Sequence, residues 1–137
     1  MKEENLHKQI CDYLKIQYPN VIFNTDMSGI KLTQGQANKA SKLRSNSGFP
    51  DIIIYEQRLH EHYYGALFLE VKIETPFKKD GTLKKMIRYE KVNGVKFAYD
   101  HLRRQSELRQ RLRDKGYKCE FVWTFDMAKK IIDDYLR

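Results

Sequence analysis

Two short apolar runs with charge inside them constrain this chain more than any other feature: Gly48-Phe49-Pro50-Asp51-Ile52-Ile53-Ile54, and Leu67-Phe68-Leu69-Glu70-Val71-Lys72. Branched and aromatic residues at this density predict short buried strands, and such strands normally exclude ionised side chains. Strand side chains alternate between faces, so Glu70 and Lys72 share one face about 7 Å apart, while Leu69, Val71 and Ile73 are expected to point the other way into a core. Paired as a hairpin, the two strands bring Asp51 to the same place. Two acids and a lysine meeting at a sheet margin suit hydrolysis of a phosphodiester with a divalent metal. The carboxylates hold the cation, the cation polarises the phosphate and activates water, and the lysine offsets charge on the oxyanion. Lys72 is the only lysine in the chain with an acid two positions before it. The plain alternative is an interstrand ion pair of Lys72 with Glu70 or Asp51, worth little if exposed.

Composition narrows the partners. With 137 residues, 41% of them hydrophobic, the chain has material for one core and is expected to form a single domain over 1–137. Lys plus Arg outnumber Asp plus Glu by 26 to 18, a formal charge of +8, and 12% aromatic content is unlike a disordered basic tail. That excess favours a polyanion, with nucleic acid the default. Met1-Lys2-Glu3-Glu4 is unlike a signal peptide and no apolar run approaches spanning length, so a cytosolic protein is expected. Cys11 and Cys119 lie too far apart for a metal-ligand motif and are expected as reduced core residues.

Periodicity supplies the surrounding elements. Leu6, Ile10 and Leu14 form the stripe of a first helix over Glu3–Gln17. Glu3 falls in the middle of that stripe, where an acid could be an additional metal ligand or simply answer the helix dipole. Val21–Thr25 is expected as a strand. The polar stretch from Asp26 to Ser47 carries Lys31, Lys39, Lys42 and Arg44, with room for a short helix over Gln34–Leu43. Its cations suit phosphate contacts, of which Lys42 and Arg44 are the candidates, although a solvated loop reads equally well. His60 and His62 lie in a polar connection and are expected to be solvent-exposed.

From about 74 to 97 the chain makes a basic excursion around two hairpin-type turns, Asp80-Gly81 and Asn93-Gly94. Leaving directly from Lys72, it reads as a ribbon that grips the polyanion through Lys78, Lys79, Lys84 and Lys85. A solubilising loop is the alternative. Leu102, Leu108 and Leu112 mark a helix over Tyr99–Lys115, and Gln105 falls between those leucines. A buried amide there needs a partner, which the candidate site or the backbone could supply. Arginines 103, 104, 109, 111 and 113 are expected on its outer faces, where they could track a phosphate backbone or serve solubility alone. Tyr117–Trp123 reads as a strand, and Thr124 can cap a last helix with the stripe Met127, Ile131 and Tyr135.

The expected architecture is α/β, a mixed central sheet flanked by helices in the order α-β-β-β-α-β-α. With Pro50-Asp51 and Glu70-Val71-Lys72, this resembles the restriction-endonuclease-like PD-(D/E)XK nuclease superfamily, and within it the small stand-alone VRR-NUC domains of phages and bacteria. The resemblance implies a DNA endonuclease in which Asp51 and Glu70 bind Mg2+, with Mn2+ able to substitute, helped by the Val71 carbonyl. It makes Lys72 the catalytic lysine, Glu3 or Glu4 the acid of the first helix, and Gln105 a supporting residue. Single-domain members look like Holliday-junction resolvases and pair as homodimers. A cytoplasmic location follows, that of the host cell if the chain is phage-encoded. A non-catalytic nucleic-acid-binding module on the same fold is the alternative.

Overall fold

A computed structural model describes residues 3–26, 33–43, 45 and 47–137. Arg44 and Lys31 lie outside the described residues. The architecture is α/β, with elements in the order α1 (Glu3–Gln17), β1 (Phe23–Thr25), α2 (Gln34–Leu43), β2 (Ile52–Ile54), β3 (Leu67–Val71), β4 (Ile87–Val92), β5 (Val95–Asp100), α3 (His101–Asp114), β6 (Lys118–Val122) and α4 (Phe125–Leu136). Four strands form one mixed sheet in the order β1-β2-β3-β6, and β4-β5 form a separate ribbon. The order expected from sequence therefore lacked α2 as a fixed element and both strands of the ribbon.

The sheet is built outward from β3. All five of its residues are buried, which requires cover on both faces and explains the near-continuous apolar run. β2 pairs with it antiparallel, Ile52 opposite Leu69 and Ile54 opposite Leu67. β6 pairs on the other side in parallel, Leu69 opposite Glu120 and Val71 opposite Val122. A parallel neighbour needs a crossover, and α3 lies within that connection.

The two faces of β3 meet different layers. Leu67, Leu69 and Val71 join Ile52, Ile54 and Val122 against Leu6, Ile10 and Leu14 of α1 and Ala128, Ile132 and Tyr135 of α4. The opposite face presents Phe68, beside Ala66 and Cys119, to Ile53, Tyr117 and Leu112 of α3. Tyr13 and Tyr18 both donate to Asp133 Oδ1 at 2.6 Å, tying α1 to α4 at its far end. Tyr135 donates to the Glu56 carbonyl at 2.6 Å.

Helix ends follow their side chains. Thr33 and Gln36 exchange bonds across the start of α2, the Gln36 amide donating to Thr33 Oγ1 and the Thr33 amide to Gln36 Oε1. Thr124 caps α4 by accepting from the Met127 amide, while Asp100 caps α3.

Several expectations shift. Ile73 does not enter the core: it is more than half exposed and helps line a hollow of about 220 Å³ with Leu6, Trp123, Thr124 and Phe125. The buried stripe of α4 is Ala128, Ile132 and Tyr135, not Met127 and Ile131. α3 starts at His101, because Tyr99 and Asp100 belong to β5. β1 begins at Phe23, leaving Ile22 exposed. No helix among the described residues is long and apolar enough to cross a membrane.

With Leu69 fully buried at the centre of this packing, Leu69→Ala should cost about 2–5 kcal/mol through lost burial and the cavity left behind, measured as a lower urea midpoint at unchanged slope.

Candidate active site

On β3, Glu70 shares its face with Phe68, the face that α3 covers. The register that sets Ile52 opposite Leu69 sets Asp51 opposite Glu70 one rung further on. Asp51, Glu70, Lys72 and Gln105 are the buried polar side chains among the described residues, at 6%, 4%, 7% and 7% exposure. These are the four expected catalytic residues, and the fold brings them together from the lead-in to β2, from β3 and the residue after it, and from α3.

Their contacts are specific. Asp51 Oδ2 accepts the Val71 amide at 2.8 Å. Gln105 Nε2 donates to Glu70 Oε1 at 2.8 Å, and Lys72 Nζ stands 3.7 Å from that same oxygen. The Lys72 amide donates to the Val122 carbonyl at 2.8 Å, continuing the parallel ladder past the end of β3 and fixing the lysine's backbone. What is seen of Val71 at the site is its amide. Gln105 reaches the acid pair through Glu70.

The lead-in to Asp51 is shaped by Gly48. Its φ is +80°, and a Cβ there would sit 3.4–3.5 Å from the Cγ, Cα and N of Gln105. Only glycine adopts that conformation without strain so close to a helix backbone.

Burial makes the acids difficult to ionise together. The Glu70 carboxyl is pushed well above its ordinary 4.5, first by loss of solvent and then by the charge of Asp51, with Lys72 opposing. Asp51 is also raised by burial, against the opposing pull of the Val71 amide. Two buried carboxylates on one rung repel, and one ammonium only partly compensates. Glu70 Oε2 and Gln105 Oε1 are buried and accept no N–H donor, and Glu70 and Asp51 bond to each other only through a proton held between them. An acid oxygen without an N–H donor, in an acid pair of this kind, fits a cation, which would neutralise both carboxylates and use that oxygen. Among the described residues no three His, Cys, Asp or Glu side chains cluster as a metal cage.

Glu3 is exposed rather than buried, but it lies at the mouth of the site. Its carboxyl is raised by partial desolvation, and the charges of Lys72 and Asp51 both act on it. Glu4 is exposed.

Three residues at the site were not singled out from sequence. His101, at the start of α3, is pushed down to about 4 by burial and then by Arg88, Lys72 and Arg104, so its imidazole is neutral at pH 7. His7 of α1 bears on both Asp51 and Glu3, and Arg88 of β4 bears on Glu3. No local pattern marks them, since each arrives from a different element.

The expected phosphate contacts divide. Lys42, Lys78, Lys79 and Lys85 are exposed, whereas Lys84 is partly covered and lies 3.9 Å from Glu74. The arginines of α3 are mostly engaged. Arg109 and Arg113 bond the Cys119 carbonyl and Glu120, Arg103 bonds Glu107, and Arg104 bonds Ser47 and Glu90. Cys119 is buried with its thiol pushed up to about 12 by desolvation, an inert core residue. His60 and His62 are exposed.

Comparison of the chain with protein-family models, with curated proteins and with solved structures found no match.

A carboxyl raised by folding keeps its proton to higher pH in the folded chain than in the unfolded one. Its contribution to stability is therefore greatest at low pH and falls as pH rises from the ordinary 4.5 through the raised value. In metal-free protein, Glu70→Gln should raise stability at pH 8 by about 0.5–2 kcal/mol, the usual gain when a destabilised functional position is relieved. The advantage should shrink as the pH approaches 5, and melting curves across that range measure it.

Proposed function

We propose that this protein is a Mg2+-dependent, structure-selective DNA endonuclease that hydrolyses phosphodiester bonds. The observation that carries the reading is the buried set Asp51, Glu70 and Lys72, the two acids opposite each other and the lysine two residues further along, with one Glu70 oxygen that accepts no N–H donor. An interstrand ion pair kept for stability would be exposed or fully bonded, and this set is neither. Support also comes from the elements around it. With α2 and the β4–β5 ribbon set aside, the remaining order is α-β-β-β-α-β-α, the arrangement that the resemblance to PD-(D/E)XK nucleases and VRR-NUC domains implies.

Asp51 and Glu70 would hold the cation, with the Val71 carbonyl and Glu3 as further candidate ligands. When bound, Mg2+, or Mn2+ in its place, supplies Lewis-acid polarisation of the phosphate. The Val71 amide fixes one Asp51 oxygen and Gln105 fixes one Glu70 oxygen, so each carboxyl is held in one orientation. Lys72 places a buried ammonium where negative charge grows on the phosphoryl oxygens. Lys42, Arg44 and the lysines at 78, 79, 84 and 85 would contact the DNA backbone, and a branched substrate such as a four-way junction is the form the resemblance favours. A homodimer, also implied by the resemblance, would show as doubled mass in sedimentation.

Purified protein should cut branched or flapped DNA faster than linear duplex, and chelator should stop it. Asp51→Ala and Lys72→Ala should each lower the single-turnover rate by about 10²–10³-fold or more while leaving DNA binding within a fewfold. Cleavage untouched by either change would refute the reading. DNA retention with no metal-dependent cutting by the wild type would leave a non-catalytic binding module.

A further inference from the structure

Besides the candidate site, the most unusual surface is the β4–β5 ribbon. Its strands pair over six rungs, from Ile87 opposite Asp100 to Val92 opposite Val95. Asn93 and Gly94 turn the chain with φ of 52° and 80°, the left-handed pair that a two-residue hairpin turn demands. Cross-strand partners share a face, so Arg88 with Tyr99, Glu90 with Phe97, and Val92 with Val95 line one side of it.

That side changes character along its length. At the foot, Arg104 of α3 stacks 3.9 Å over the Tyr99 ring and forms two 3.0 Å bonds to Glu90. Towards the tip, Phe97, Val92 and Val95 are 52%, 49% and 54% exposed. Isolated exposed apolar residues need no explanation, but three on adjoining rungs of a two-stranded projection do.

Charge identifies the occupant. The ribbon's two acids are already engaged, Glu90 by Arg104 and Asp100 by the Met86 and Arg103 amides. Its cations Arg88, Lys91 and Lys96 have no carboxylate within ion-pair distance among the described residues. An apolar side at the tip, backed on the opposite side by Lys91 and Lys96, the latter 4.6 Å over the Tyr89 ring, suits a polyanion with apolar faces to stack on, which describes nucleic acid better than a protein surface. A two-stranded ribbon also matches a DNA groove in width.

The ribbon's foot lies beside the candidate site. The His101 amide donates to the Met86 carbonyl at 2.7 Å, and Arg88 is near enough to Glu3 for its charge to act there. From the Arg88–Tyr99 rung to the Val92–Val95 rung is four residues, roughly 13 Å at strand rise. Along DNA that is about four base pairs.

We propose that the β4–β5 ribbon is a base-stack wedge: Val92, Val95 and Phe97 enter an interruption in the stacking of DNA about four base pairs from the cut phosphate, and Lys91 and Lys96 hold the flanking backbone. The distance to the cut rests on the nuclease reading, whereas the wedge itself does not. Substrate choice then lies in the ribbon, because continuous duplex must be unstacked to admit the tip and a branch or nick is already open.

The test uses full-length protein in chelator, with a four-way junction, a nicked duplex and a continuous duplex of matched sequence, each carrying 2-aminopurine at the interruption or its equivalent position. Wild type should bind interrupted DNA about tenfold or more tighter than continuous duplex and brighten the probe. Val95→Ser with Phe97→Ser, both at exposed positions, should abolish the preference and the brightening while changing continuous-duplex affinity less than about threefold. Ile16→Ser, an exposed apolar change elsewhere, should alter neither. No preference in the wild type, or equal losses on all three DNAs, would overturn the wedge. So would a preference that survives the double substitution while sedimentation shows broken self-association, which would make the tip a contact with a second copy. Ribbon-dependent preference without cutting in Mg2+ would sink the nuclease reading and leave the wedge standing.

Discussion

Asp51, just ahead of β2, and Glu70 of β3 face each other and are nearly sealed from solvent, with Lys72 as their only buried counter-charge among the described residues. A fold built for stability alone would fill these positions with apolar side chains, since burying like charges costs more than one ammonium returns. The surroundings are arranged around keeping the charges in place. β3 is covered on both faces, the parallel rung to β6 continues through the Lys72 amide, and Gly48 lets the strand lead-in pass within contact of α3. Departures from the local rules that several elements support at once are expected at functional or strained sites.

Much of this was legible because it depends on parity and local chemistry. Alternation placed Glu70 with Lys72 and opposite Leu69 without reference to any tertiary contact. α1 matched its predicted bounds because its stripe, its acidic first turn and Pro19 agree. Thr124 announced its cap. The α4 stripe was misplaced by one residue because Met127-Ala128 and Ile131-Ile132 offer two apolar registers side by side, and only packing against α1 chooses between them. Glu3 was expected on a buried face, but the stripe at a helix's first turn overhangs the layer beneath it.

The ribbon was harder to read for a different reason. Strand prediction rests on one face seeking a core, and β4 and β5 have no core beneath them: exposed apolar residues occupy both faces. The Asn93-Gly94 turn was visible, and its strands were not. His7, His101 and Arg88 escaped notice because they reach the site from three separate elements, and sequence shows no distance between elements. The arginines of α3 looked like a phosphate track because spacing alone cannot reveal that Glu120, Glu107 and Glu90 already hold four of them.

One turn of α3 connects these parts. Asp100 ends β5 and caps the helix, so the ribbon's foot and the helix start are one structure. Arg104 ties that start to Glu90 in the ribbon and to Ser47 in the Asp51 lead-in. The next residue, Gln105, holds Glu70 and packs on Gly48. Backbone this short and hydrogen-bonded transmits position, so the ribbon, the lead-in and the acid pair share one frame. On the proposed nuclease and wedge readings, a substrate seated on the ribbon would be held in register with the two carboxyls by a helix turn instead of a mobile loop.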